Sequence, residues 1–131
     1  MKYLGIDYGA KRVGIAMSDD SGSIAFPKTT FPNNAALLKT LAELIRKEHV
    51  GAVVMGDSKD KDGTNNTIMA DAKLFAERLK QAAGIELYFE PEYYSSVEAR
   101  RDSDASQVDD KAAAIILSRH LERVKYHGHL P

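Results

Sequence analysis

A chain of 131 residues with 44% hydrophobic content is the size of one ordinary domain, so residues 1–131 are expected to fold around a single core. Its 18 basic and 19 acidic residues leave a formal net charge of -1, which excludes a global pull toward nucleic acid or anionic membrane and leaves only a local basic patch for such binding. The absence of cysteine excludes disulfides and thiolate catalysis. The first residues read as a strand, and no apolar run approaches the roughly 18 residues of a bilayer span, so a soluble cytoplasmic protein with no membrane partner is expected.

In chain order, Tyr3 to Asp19 reads as a hairpin: two short apolar runs flank an Asp-x-Gly turn, with Asp7 near the end of the first strand. Alternation places Gly5 and Asp7 on one face of that strand and Leu4 and Ile6 on the other. Ser21-Gly22-Ser23 makes a turn, and Ile24 to Phe31 reads as a third strand whose Pro27 suits a sheet edge. Pro32-Asn33-Asn34 then starts a helix with an Asn cap, and Leu37, Leu38, Leu41, Leu44 and Ile45 recur at helical spacing up to about Glu48. The short apolar run Val50 to Gly56 has the look of a central strand, and Asp57 to Thr67 of a polar loop leaving it.

A second helix carries Ile68, Ala72, Phe75, Ala76 and Leu79 on one stripe and stops at Gly84. Ile85 to Phe89 reads as a strand, Ser95 or Ser96 caps a short helix through Arg101, and Asp102 to Gln107 reads as a loop. Val108 to about Arg123 is the clearest helix, with Lys125 to Pro131 a frayed tail. Three antiparallel strands followed by two right-handed crossovers predict an α/β fold. It would have a mixed five-stranded sheet, helices on both faces and the first strand in the centre.

That topology brings Asp7, Asp57 and Glu92 to one sheet edge. Asp109 falls on a helix face with Ala112, Ala113 and Ile116, at spacings of three, four and seven, and Asp110 lies beside it. A simpler reading is that Asp109 and Asp110 only complement the helix dipole. Carboxylates at close range need a counter-charge, for which one or two Mg2+ ions (or Mn2+) are the usual answer. Two such ions suit phosphodiester hydrolysis without a nucleophilic side chain. Lys11, Arg12, Lys59, Lys61, Arg100 and Arg101 could form a phosphate-binding rim, against the plainer reading of solvated surface. Tyr93 and Tyr94 could stack on bases. His127 and His129 form too small a set for a metal site, and His49 and His120 are read as lying beside helix ends without a role.

Four segments resemble the YqgF/RuvX family. They are Gly5-Ile6-Asp7-Tyr8-Gly9-Ala10-Lys11-Arg12-Val13-Gly14-Ile15-Ala16, Val54-Met55-Gly56 leading to Asp62-Gly63, Glu92 to Ala99, and Val108-Asp109 with its Ala/Ile/Leu helix. This resemblance implies a ribonuclease H-like fold and a metal-dependent nuclease. Members are described as Holliday junction resolvases and as nucleases maturing the 5′ end of pre-16S rRNA. It further implies that Asp7, Glu92 and Asp109 are the catalytic metal ligands, with Asp57 or Asp110 as a further acid. Where the family usually has Asp-Glu-Arg-Leu-Thr-Thr, this chain has Pro91-Glu92-Tyr93-Tyr94-Ser95-Ser96, and the family's Leu-Pro after Gly56 is Asp57-Ser58. The expected partner is nucleic acid, either structured rRNA precursor or branched DNA, and a homodimer stays open. Two other classes compete: a catalytically weakened nucleic-acid-binding regulator, and a nucleotide-binding relative using the Asp-x-Gly hairpin as a phosphate loop.

Overall fold

The structure is a computed structural model that describes residues 1–58, 67–92 and 105–127, with side chains described for 1–57, 68–91 and 110–125. Five strands, β1 (Tyr3–Tyr8), β2 (Arg12–Ser18), β3 (Ala25–Pro32), β4 (Ala52–Ser58) and β5 (Glu86–Glu92), form one sheet in the order β3-β2-β1-β4-β5. The first three pair antiparallel, while β4 runs parallel to both β1 and β5. The first strand is central, as the crossover argument requires.

Helices α1 (Leu37–Lys47) and α2 (Thr67–Ala83) cover one face, and α3 (Ala105–His127) covers the other. Alternation along β1 divides the core accordingly. Leu4 and Ile6 join Leu41, Ile45, Met55 and Leu79 on the side of α1 and α2. Tyr3 joins Ala16, Ala52, Val54, Ala113, Ile116 and Leu117 on the side of α3. On that side Ala16, Ala52 and Ala113 are small and Gly5 faces α3, so the helix rides close to the sheet.

Several boundaries differ from expectation. Helix α1 starts at Leu37, because Asn34 accepts a hydrogen bond from the Ala36 N–H at 2.9 Å and closes a separate turn before it. Strand β3 is an edge strand as Pro27 implies, and a bulge leaves Lys28 unpaired, since Ile15 pairs with Thr29 and Ala16 with Pro27. Strand β4 reaches Ser58, which withdraws Asp57 and Ser58 from the expected loop. Helix α3 begins at Ala105, inside the expected loop, and takes in Lys125 to His127 from the expected tail. The short helix expected from Ser95 or Ser96 to Arg101 lies outside the described residues.

Candidate active site at the sheet edge

Asp7 leaves the sheet near the end of β1 and is only 7% exposed. Glycines surround it on its own face: Gly5 precedes it on β1 and Gly14 is its partner on β2. Gly56 of β4 lies level with it, one step beyond the Ile6–Met55 pair. Gly14 and Gly56 put no side chain beside the carboxylate on the two neighbouring strands, while the space over Gly5 is taken by helix α3.

Helix α3 closes over this face. A Cβ at Gly5 would lie 2.9 Å from the Leu117 Cβ and 3.0 Å from the Ala113 carbonyl oxygen, so the helix touches the sheet there. Tyr3 meets His120 with ring centroids 5.9 Å apart, so β1 and α3 run in opposite directions. Rises of about 3.3 Å per strand residue and 1.5 Å per helix residue then set the turn containing Asp109 and Asp110 alongside Asp7. Asp110 lies three and seven residues before Ala113 and Leu117, hence on the face that meets Gly5. Its Oδ1 is buried without a hydrogen-bond partner. Because α3 begins at Ala105, Asp109 and Asp110 lie beyond its first turn, where the dipole no longer accounts for a pair of acids.

Glu92 ends β5 opposite Ser58. By alternation it shares Asp7's face, two residues past Glu90, which pairs with Gly56. The side chains of Glu92 and Asp109 lie outside those described, and among the described residues no three carboxylates or histidines are grouped for a metal. Asp57 reaches the same edge but, adjacent to Gly56, falls on the opposite face with Val53 and Met55; the pleat separates it from Asp7. Asp7 and Asp110, the described acids at this end of the face, offer carboxylate oxygens, the hard donors that Mg2+ and Mn2+ accept, and the buried Asp110 Oδ1 is suited to a cation.

Lys11 and Arg12 are exposed at the hairpin turn. Tyr8, facing the other way, packs on Phe75 of α2 with ring centroids 5.2 Å apart, which holds the hairpin's tip to the helical layer beneath. Lys59, Lys61, Tyr93, Tyr94, Arg100 and Arg101 lie outside the described residues.

Two residues take part in contacts that their local sequence does not announce. Asn33, one of the two asparagines before the helix, donates its side-chain N–H to the Gly9 carbonyl at 2.8 Å. His120, expected beside a helix end, lies inside α3, where its Nδ1 is 3.3 Å from Oε1 of Glu90. Glu90 is 1% exposed, and its Oε2 accepts a hydrogen bond from Arg123 at 2.7 Å. Nothing local marks Glu90 for this lock, since β5 also carries Glu86 and Glu92.

The family model described as RuvX, Holliday junction resolvase, matches residues 1–123. A protein of Nitratidesulfovibrio vulgaris (strain DSM 19637 / Miyazaki F) named "Putative pre-16S rRNA nuclease" is 38% identical, over 92% of this chain and 93% of its own length. One of the same name from Anaplasma marginale is 32% identical, over 97% and 88%. Among solved structures, Thermus thermophilus RuvC superposes with a TM-score of 0.65 at 12% identity, covering 98% of this chain and 97% of that one. The same protein in complex with a Holliday junction substrate gives 0.63 at 11% identity, covering 95% and 96%. At such identities these structures speak for the ribonuclease H-like fold alone. The family match over nearly the whole chain, with relatives above 30% identity, shows that this protein belongs to the RuvX (YqgF) family.

Proposed function

We propose that the chain is a single-domain, metal-dependent nuclease of the cytoplasm, hydrolysing phosphodiester bonds in structured nucleic acid. Maturation of the 5′ end of pre-16S rRNA is its leading role, supported by the names of its relatives. The observation that carries the chemistry is the buried, unpartnered Asp110 Oδ1 on the helix face that closes over Asp7's side of the sheet. Asp7, Glu92 and Asp109 hold the metal, with Asp110 as a further oxygen donor. Bound there, Mg2+ or Mn2+ supplies Lewis acidity that favours hydroxide over water and offsets charge on the phosphate. Lys11 and Arg12 grip the backbone of the scissile strand. Water attacks the phosphorus, the P–O bond to the leaving oxygen breaks, and no side chain forms a covalent bond.

Holliday junction cleavage is the second reading, favoured by the family description and the junction-bound RuvC structure. The test is cleavage of a precursor rRNA and of a four-way DNA junction by wild type and Asp7→Asn, with Mg2+ and with EDTA. Metal-dependent cutting that Asp7→Asn loses is expected. Its absence on both substrates at high enzyme concentration would overturn the nuclease reading in favour of a binding protein that keeps the fold.

A further inference from the structure

Strand β3 ends where Pro32 pairs with Arg12, and the next residue does more than leave the sheet. The Asn33 backbone N–H donates to the Lys11 carbonyl at 2.9 Å, and its side-chain N–H donates to the Gly9 carbonyl at 2.8 Å. One half-buried residue thus grips the β1–β2 turn on both sides of Ala10. The turn itself is tight: a Cβ on Gly9 would come within 2.5 Å of the Arg12 carbonyl oxygen. Asp7 has its own support, because it is paired with Gly14 inside the ladder. Lys11 precedes β2 and Arg12 opens it, so their backbone direction depends on how the turn is held.

We propose that Asn33 is a positioning residue for nucleic-acid binding, clamping the turn so that Lys11 and Arg12 are presented together to a phosphate backbone. The proposal rests on the reading of those two cations as the grip on the scissile strand. Their long side chains lose conformational freedom on binding, and a fixed backbone beneath them reduces what remains to be ordered. Asp7, paired with Gly14 inside the ladder, is held independently of the clamp.

The test is binding of a fluorescein-labelled four-way DNA junction and a labelled precursor rRNA, in EDTA so that no cutting intervenes. Losing one neutral hydrogen bond should weaken binding by Asn33→Ala about threefold to tenfold. Asn33→Gln, which keeps the donor on a longer arm, should recover part of the loss. Mn2+ affinity and kcat should stay near wild type while KM rises. Asn34→Ala, which loosens only the turn before α1, serves as the stability control and should bind as wild type does. In a Lys11→Ala/Arg12→Ala background the Asn33 change should cost nothing further, because it acts through those cations.

Equal loss in both backgrounds, or wild-type binding by Asn33→Ala, overturns the proposal. So does wild-type protein that binds neither probe. Binding by wild type without metal-dependent cutting would overturn the nuclease reading and leave the clamp standing.

Discussion

Gly5 of β1 and Leu117 of α3 approach so closely that a methyl group on Gly5 would lie 2.9 Å from the Leu117 Cβ. Neither obstacle to that methyl is the free end of a flexible side chain. One is a Cβ, the other the Ala113 carbonyl oxygen at 3.0 Å, so any relief must come from moving the helix. Gly5 therefore fixes the height of α3 over the sheet, and with it the separation between Asp7 and the turn carrying Asp109 and Asp110.

Gly5→Ala should destabilise the fold by about 1–3 kcal/mol, the usual cost of overpacking a close contact. Lifting the helix should also weaken Mn2+ binding, which a purely structural contact would not do at temperatures where the variant remains folded. Thermal melts with and without Mn2+ check both effects. A variant that melts and binds like wild type would show that the helix has room to give.

The same contact marks how far the sequence could be read. Gly5, the alternation of Leu4 and Ile6, Pro27 and the stop at Gly84 each act locally, so the element order, the β3 edge and the central β1 were legible. The side of the sheet taken by Asp57 was not, because it depends on where β4 ends. A polar Asp-Ser pair gives no local sign that the ladder continues to Ser58. The role of Asn33 is hidden for a related reason: an Asn before a helix signals a cap, while its bond to Gly9 spans 24 residues and exists only once three strands are assembled. The expectation that Asp7, Asp109 and Glu92 cluster rests on topology plus family resemblance, and spacing alone leaves Asp109 and Asp110 indistinguishable from dipole partners.

Glu90 ties β5 to α3 through His120 and Arg123, and it is almost completely buried. Removing it strands the His120 and Arg123 donors. Because the Arg123 side chain is 51% exposed and can turn to water, the penalty should fall short of a fully buried pair. Glu90→Ala is expected to cost about 1–3 kcal/mol in urea unfolding. Adding Arg123→Ala should cost less than the two single losses combined. Strict additivity would mean that the 2.7 Å pair contributes nothing.

Acid should weaken the β2–β3 turn. Asp19 Oδ1 accepts the N–H groups of Ser23 and Ile24, and Oδ2 accepts the Ser21 hydroxyl. The backbone bonds from Ser23 and Ile24, then the Ser21 hydroxyl, hold its carboxyl below the usual range. A depressed folded-state pKa means that the folded protein binds fewer protons than the unfolded chain as the pH falls past the unfolded carboxyl's pKa. Stability from Asp19 is then present above about pH 4 and lost as pH falls through the lower folded value. Melting temperature followed from pH 5 to pH 2 should drop less steeply in Asp19→Asn than in wild type. Parallel curves would contradict the assignment.

Asp110 should show opposite effects on stability and on metal binding. Its Oδ1 is buried without a partner, an arrangement that costs the metal-free fold about 1–3 kcal/mol relative to an apolar side chain. Asp110→Ala should therefore raise the melting temperature in EDTA, while Asp7→Asn serves as the comparison for loss of metal binding. Adding Mn2+ should stabilise wild type in proportion to RT ln(1 + [Mn2+]/Kd), and Asp110→Ala should recover much less of that increment. Calorimetric titration of Mn2+ gives the affinity directly and needs no substrate. If Asp110→Ala instead lowers stability in EDTA and binds Mn2+ as wild type does, the carboxylate serves the helix and not the site. A gain in EDTA together with a loss in Mn2+ is what a ligand oxygen held ready at the cost of stability would produce.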